Sequence, residues 1–160
     1  MAQNKKTAPS ILDVVKQLKG GKILPLYYLF GEDIFSLNLA VKAIEEAVAP
    51  FIISDFDKDI CYSDERNLHD VISTARAFPF GSEKKLIVFK EAEKVKDKKL
   101  LESYILSPPE FAVFVLVHNG KITNLSTSPF DLLLKNEFLY EAKELRGDYL
   151  IDWVIELTKS

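Results

Sequence analysis

The chain has 160 residues, of which 48% are hydrophobic and 28% are charged, proportions that are typical of one globular domain with a buried core. The net charge of −3 argues against a surface dominated by contacts to nucleic-acid phosphates, because such a surface needs clustered Lys and Arg. The lone cysteine, Cys61, excludes an intrachain disulfide and a cysteine-rich metal site, and no apolar run approaches the roughly 20 residues of a membrane span, so we expect a cytoplasmic location.

The first third of the chain predicts a polar segment, then a helix, a strand and a second helix. Residues 1–9 are polar, and we expect them to be disordered. Helical spacing of apolar residues follows over 11–19, with Ser10 as the N-cap and two glycines as the stop. The continuous apolar run at 24–30 predicts a strand that is buried on both faces, and helical spacing returns over 33–50.

The remainder of the chain continues this alternation of strands and helices. In order, it predicts one or two weak strands at 52–62, a helix capped by Asn67 at 68–77, a strand at 84–91, a helix at 97–106, a strand at 111–117, a helix with Pro129 at its first position at 128–135, a strand at 138–143 and a helix at 148–157. The alternation predicts an α/β fold with three layers, a mostly parallel sheet of about five strands with helices on both faces.

The segment GEDIFSLN, residues 31–38, lies where many α/β proteins hold a phosphate, between a buried strand and a helix. A working P-loop needs a second glycine, a lysine and a hydroxyl here, but serine, leucine and asparagine stand at those positions. Glu32 and Asp33 would also repel a phosphate. We therefore interpret Gly31 as a turn glycine and Asp33 as a helix N-cap, in a degenerate nucleotide loop that is not expected to bind.

The other candidates for chemistry are isolated residues. Glu91 or Glu93 follows a buried strand, as a magnesium ligand would, but a solvated charged loop is the better interpretation. His69 and His118 have no nucleophile motif beside them, and we interpret both as ordinary surface or cap residues. The sequence therefore predicts no catalytic residue, no metal and no cofactor in this domain.

The most unusual stretch is ARAFPFGSE, residues 75–83, in which two phenylalanines flank a proline between a helix and a buried strand. Pro79 stops the helix and fixes the bend of the chain. Phe78 and Phe80 either point outward on this rigid corner, as a protein-binding hot spot requires, or close the core beneath the loop. General burial tendencies favour the core, and periodicity does not decide between the two.

Three stretches stand in the order that a known family shows: PLYYLFGEDIFSLNLAVKAI at 25–44, ARAFPFGSEKKLIVFKEAEKV at 75–95, and KELRGDYLIDWVIEL at 143–157. With them the chain resembles the N-terminal domain of the delta subunit of bacterial DNA polymerase III, a clamp-loader family. The second stretch, with its Pro-Phe-Gly corner, is the most specific. The resemblance implies a fold related to P-loop ATPases whose nucleotide loop has decayed, and no ATP hydrolysis by this subunit.

The resemblance also implies a task, which is to bind the ring-shaped sliding clamp (the β subunit) and help to open it during DNA replication. The clamp-contacting element of the family falls on Ala77, Phe78, Pro79 and Phe80, with Arg76 nearby. Phe80 is the first choice as the anchor and Phe78 the second. Family members often have Leu-Phe where this chain has Pro79 and Phe80. DNA would be an indirect partner only.

The resemblance further implies a division of the chain and its partners. We expect a disordered N-terminus at 1–9, an α/β clamp-binding domain at 10–145, and the start of a linker or second helical domain at 146–160. The chain would then be truncated, and other clamp-loader subunits would bind through the missing C-terminal part. The rival interpretations are a P-loop-type nucleotide-binding enzyme and a nucleic-acid-binding α/β domain, and the net charge speaks against the latter.

Overall fold

Helices and strands alternate along residues 6–143, the part of the chain that the structure, a computed structural model, describes. The strands are β1 (Leu26–Gly31), β2 (Lys58–Tyr62), β3 (Lys85–Lys90), β4 (Ala112–Asn119) and β5 (Leu139–Ala142). The helices are α1 (Ile11–Lys19), α2 (Ile34–Val48), α3 (Leu68–Arg76), α4 (Glu102–Leu106) and α5 (Phe130–Lys135). Within the described residues no helix is long and apolar enough to cross a membrane.

The five strands form one sheet in the order β2-β3-β4-β1-β5, and every neighbouring pair is parallel. Strand β1 lies between β4 and β5, with Tyr28 paired to Leu116 on one side and to Leu139 on the other. All six residues of β1 are buried, because helices cover both faces of a parallel sheet. The predicted α/β fold with a parallel five-stranded sheet is confirmed.

Two groups of helices cover opposite faces of the sheet. On one face, where α1 and α2 pack together, the Gln17 side chain of α1 donates a hydrogen bond of 3.2 Å to the hydroxyl of Tyr140. On the other, Phe130 of α5 contacts Tyr28 edge-on, with ring centroids 5.6 Å apart. Tyr140 pairs with Leu29, and successive strand residues alternate in direction, so Tyr140 and Tyr28 lie on opposite faces. The three-layer architecture follows.

The helix starts follow the capping residues that the sequence predicted. The side chains of Ser10, Asp33 and Asn67 accept hydrogen bonds from backbone N–H groups two or three residues further along, at 3.2, 3.2 and 2.8 Å. Each bond satisfies a donor that the first helical turn leaves without a partner. These three boundaries are therefore set by local chemistry.

Three predicted elements differ from the structure. The weak strand pattern at 52–62 becomes a strand only at β2, because residues 55–57 form a 3₁₀ turn before the edge of the sheet. The helix predicted at 97–106 opens with a 3₁₀ turn at Lys98–Leu101 before α4. Pro129 is the N-cap residue of α5 and not its first helical residue.

The described part of the chain begins inside the segment that was expected to be disordered. Ala8 is buried in the core, and the carbonyl of Pro9 accepts a hydrogen bond of 2.8 Å from the N–H of Glu141. Strand β5 therefore gives the backbone of Pro9 a hydrogen-bond partner beside the buried Ala8. The helix at 148–157 and the linker at 146–160 lie outside the described residues.

Candidate docking site

The aromatic corner, residues 77–81, connects the end of α3 to the start of β3, at the edge of the sheet where the strands begin. The helix ends because Ala77 adopts an extended conformation, with ψ of 144°, and Pro79 has no N–H to continue it. Phe78 is 81% exposed and Phe80 is 70% exposed. Of the two alternatives that the sequence left open, the structure has both rings facing outward.

Arg76 and Ala77 are also exposed, but the Arg76 side chain is directed toward α4. Its guanidinium donates a hydrogen bond of 3.4 Å to the carbonyl of Ser107 and lies 5.0 Å from the centroid of the Tyr104 ring. The structure therefore brings Ala77, Phe78 and Phe80 together at the corner, with Arg76 bound to the neighbouring helix.

Two buried charged side chains hold the backbone on either side of Phe78 and Pro79. The ammonium of Lys85 donates hydrogen bonds to the carbonyls of Thr74 and Ala77, at 2.6 and 3.1 Å. The carboxylate of Asp57 accepts a hydrogen bond of 2.7 Å from the N–H of Phe80. Burying a charge costs free energy unless it gains such partners. The aromatic corner is thus fixed at Ala77 and again at Phe80.

The pKa values of these two buried groups reflect their surroundings. Burial alone would raise the pKa of Asp57, but hydrogen bonds from Phe80 and Ser82, together with the charge of Lys85, hold that pKa below its ordinary value. Burial lowers the pKa of Lys85, and the charges of Asp57 and Asp59 oppose that shift. The Asp57 carboxylate is therefore charged at neutral pH and is a strong acceptor for the corner.

Further exposed apolar side chains adjoin the aromatic corner. Phe56 is 80% exposed and Ile53 is 79% exposed, and the Phe56 ring lies 5.7 Å from that of Phe80, centroid to centroid. Phe78 packs on the half-buried Phe111 at 5.2 Å. Sequence reasoning did not find Phe56, although an aromatic residue between two aspartates, in the stretch DFD, is atypical of a core position.

Gly31 lies at the opposite end of the strands from the aromatic corner, at the carboxyl end of β1. Its φ is +145°, and a Cβ atom added to it would lie 2.3 Å from the carbonyl oxygen of Ala142 in β5. The N–H of Gly120 donates a hydrogen bond of 2.7 Å to the Gly31 carbonyl. The close approach of β5 accounts for glycine at this position without any ligand.

The acids after Gly31 both have partners within the protein. The carboxylate of Asp33 accepts hydrogen bonds from the N–H and the hydroxyl of Ser36, at 3.2 and 2.7 Å. Glu32 forms an exposed ion pair with Lys121 at 3.4 Å. A cavity of about 350 Å³ near the ends of β2 and β3 includes no residue of 31–38 among the side chains that line it.

The prediction that His118 is a surface or cap residue is wrong. His118 is buried, a hydrogen bond of 2.7 Å joins its Nδ1 to the hydroxyl of Tyr28, and the rings of Phe30 and Phe130 also contact it. Burial, assisted by the charge of Lys98, lowers the pKa of His118 to about 4. The imidazole is therefore neutral at pH 7 and belongs to the core.

The remaining candidates from the sequence have ordinary surroundings. His69 is exposed on α3. Glu91 pairs with Lys94 at 2.7 Å, and Glu93 accepts a hydrogen bond of 2.9 Å from the N–H of Asn119. Among residues 6–143, no group of three or more His, Cys, Asp or Glu side chains is arranged to hold a metal ion.

Comparisons with known proteins agree with one another. Residues 27–143 match the family model described as DNA polymerase III, delta subunit. DNA polymerase III subunit delta of Bacillus subtilis is 32% identical, over 94% of this chain and 46% of its own length. The solved structure of the B. subtilis DNA clamp loader delta protein superimposes with a TM-score of 0.74 at 30% identity, covering 91% of this chain and 46% of that one.

A more distant structure shares the fold alone. The gamma subunit-related protein of DNA polymerase III from Thermotoga maritima superimposes with a TM-score of 0.55 at 14% identity, over 89% of this chain. The chain spans about half the length of the relatives that it matches.

Proposed function

Because the chain belongs to the DNA polymerase III delta subunit family, we propose that its α/β domain binds the sliding clamp and helps to open it during DNA replication, without hydrolysing ATP itself. The direct partner is the clamp, the β subunit, and DNA is contacted only through it. Other clamp-loader subunits bind outside this domain, in the part of the relatives that this chain does not span. The assembly works in the cytoplasm, in contact with no membrane.

The observation that carries this proposal is the exposure of Phe78 and Phe80 on a corner whose backbone is fixed. Burying apolar surface lowers the free energy by about 25 cal/mol for each Å². A protein partner that covers this exposed aromatic pair therefore gains binding free energy. A fixed backbone also lowers the entropy that is lost on binding. Such a corner has the properties of a binding hot spot.

The clamp would open because the domain binds one state of the ring better than the other. Phe80, with Phe78 beside it, enters an apolar pocket of the clamp, and α3 behind the corner holds the clamp interface in its opened form. A ligand shifts a two-state equilibrium only by its difference in affinity for the two states. The free energy of binding to this domain therefore drives the opening of the clamp, and ATP is used elsewhere in the loader.

The degenerate nucleotide loop supports the part of the proposal that this domain does not hydrolyse ATP. The carbonyl of Ala142 occupies the space beside Gly31, and the Asp33 carboxylate is engaged by Ser36. Phosphate binding at a helix N-terminus needs free N–H groups and a favourable charge. At this turn the carboxylate of Asp33 already occupies the N-cap position, and a second acid, Glu32, lies beside it.

The proposal is tested with Phe80→Ala, measuring affinity for the sliding clamp of the same organism by calorimetry. Truncating a hot-spot aromatic costs ~2 kcal/mol or more, about 30-fold in Kd. We expect Phe78→Ala to cost less. The matched control is Phe35→Ala, which removes a ring that is 57% exposed at the opposite edge of the sheet. Unchanged clamp affinity in a folded Phe80→Ala protein would remove this site from the proposal.

A further inference from the structure

We propose that the docking surface has two parts, and that the segment 53–57 supplies the second, with Phe56 as a further anchor for the sliding clamp. This inference rests on the proposed function and deepens it, because it adds a binding residue outside the corner that the family resemblance indicates. The segment precedes the edge strand β2, and the aromatic corner precedes the neighbouring strand β3. Because the two strands are parallel, both segments lie at the amino-terminal ends of adjacent strands.

The conformation of the segment presents an aromatic ring to solvent. Residues 55–57 form a 3₁₀ turn, and the hydroxyl of Ser54 caps it by accepting a hydrogen bond of 3.2 Å from the N–H of Phe56. The turn directs Asp57 inward, where it is buried, and leaves Phe56 and Ile53 about four-fifths exposed. Phe56 is thus as bare as Phe78, on a turn whose shape is set by its own hydrogen bonds.

Hydrogen bonds join this segment to Phe80 of the aromatic corner and to Ser82, which follows the corner. The N–H of Ile53 donates to the hydroxyl of Ser82 at 2.9 Å, and the N–H of Phe80 donates to Asp57 at 2.7 Å. The contact of the Phe56 and Phe80 rings lies beside them. The two segments therefore form one surface, and their relative position does not depend on a partner.

The distance between the Phe56 and Phe80 rings restricts which partner can bind over Phe56. The centroids of the two rings are 5.7 Å apart, which is the distance of a direct ring contact and leaves no room for two different proteins side by side. A clamp surface that buries Phe80 therefore also meets Phe56. A partner of another kind on Phe56 would compete with the clamp for Phe80.

The first experiment measures clamp affinity for Phe56→Ala, Phe80→Ala, the double variant and the control Phe35→Ala. We expect Phe56→Ala to weaken binding by about tenfold, and to weaken it further in the Phe80→Ala background, because an anchor contributes contacts of its own. Since Phe56 is 80% exposed, its truncation leaves the fold intact, which thermal unfolding verifies.

A second experiment reports contact directly, through an environment-sensitive dye on Ile53→Cys. The native Cys61 is buried, and burial raises the pKa of its thiol, so the dye attaches selectively to the exposed new cysteine. Adding the clamp should shift the dye emission to the blue, with the same Kd as the unlabelled chain. The same dye on Phe35→Cys should not respond.

The outcomes separate this inference from the proposed function. If Phe80→Ala weakens binding but Phe56→Ala stays within twofold of the original chain, the second anchor is refuted and the clamp site at the corner stands. An effect of Phe56→Ala that disappears in the Phe80→Ala background would mean that Phe56 only supports the Phe80 ring, and it also refutes the anchor. A silent dye on Ile53→Cys does the same. If no variant affects binding, both proposals fall together.

Discussion

His118 shows how strongly one side chain responds to its surroundings. It is the penultimate residue of β4, in contact with Tyr28, Phe30 and Phe130, and only 7% of its surface is exposed to water. Its pKa falls to about 4, against about 6.5 for an unperturbed histidine. Protonation therefore favours the unfolded state.

The sign of this shift predicts a pH dependence of stability. Above pH 6.5 the histidine is neutral in both the folded and the unfolded chain, so it does not make the free energy of unfolding depend on pH. Between pH 6.5 and 4 the unfolded chain binds a proton that the folded chain does not. The free energy of unfolding should therefore fall by up to about 1.4 kcal/mol per pH unit from this residue. Urea unfolding of His118→Asn at several pH values should give a shallower slope than the original chain. Equal slopes for the variant and the original chain would contradict the shift.

At the scale of single elements, the pairing of β1 with β5 depends on Gly31. We expect Gly31→Ala to lose about 2 kcal/mol or more in the free energy of unfolding, because its Cβ would overlap the Ala142 carbonyl at 2.3 Å and its φ of +145° disfavours a side chain. Gly20→Ala is the matched control, since its Cβ would meet its nearest atom at 3.5 Å. Similar denaturation midpoints for the two variants would show that β5 adjusts without cost.

Elements that depend on neighbouring residues were predictable from the sequence, and those that depend on distant partners were not. The N-caps Ser10, Asp33 and Asn67 act within three residues, so their patterns located the starts of α1, α2 and α3. The strand β2 was not located well, because within residues 6–143 it is an edge strand whose one neighbour is β3. Its pattern is interrupted by the 3₁₀ turn that positions Asp57.

The same distinction applies to the candidate site. Pro79 predicted the corner, but whether Phe78 and Phe80 face solvent depends on Phe111 and Phe56, which lie more than twenty residues away along the chain. Periodicity carries no information about such contacts. The burial of His118 was missed for a similar reason, since Tyr28 and Phe130 approach it from separate elements.

At the scale of the whole molecule, a parallel α/β fold is combined with a turn at Gly31 that lacks the lysine and the second glycine of a P-loop. We therefore expect calorimetric titration of ATP with magnesium to give no detectable heat of binding to this chain. The reason is that Glu32 and Asp33 carry negative charge at the turn, and that no lysine stands in the position that neutralises phosphates. A micromolar Kd for ATP would instead support the rival interpretation, a P-loop-type enzyme.

The aromatic corner and the Gly31 turn lie at opposite ends of the parallel strands. A six-residue strand such as β3 spans roughly 20 Å, so the two places lie too far apart to share a side chain or a direct hydrogen bond. Selection can therefore act on each end separately. Residues can change at one end of the strands while the backbone and side chains at the other end keep their geometry.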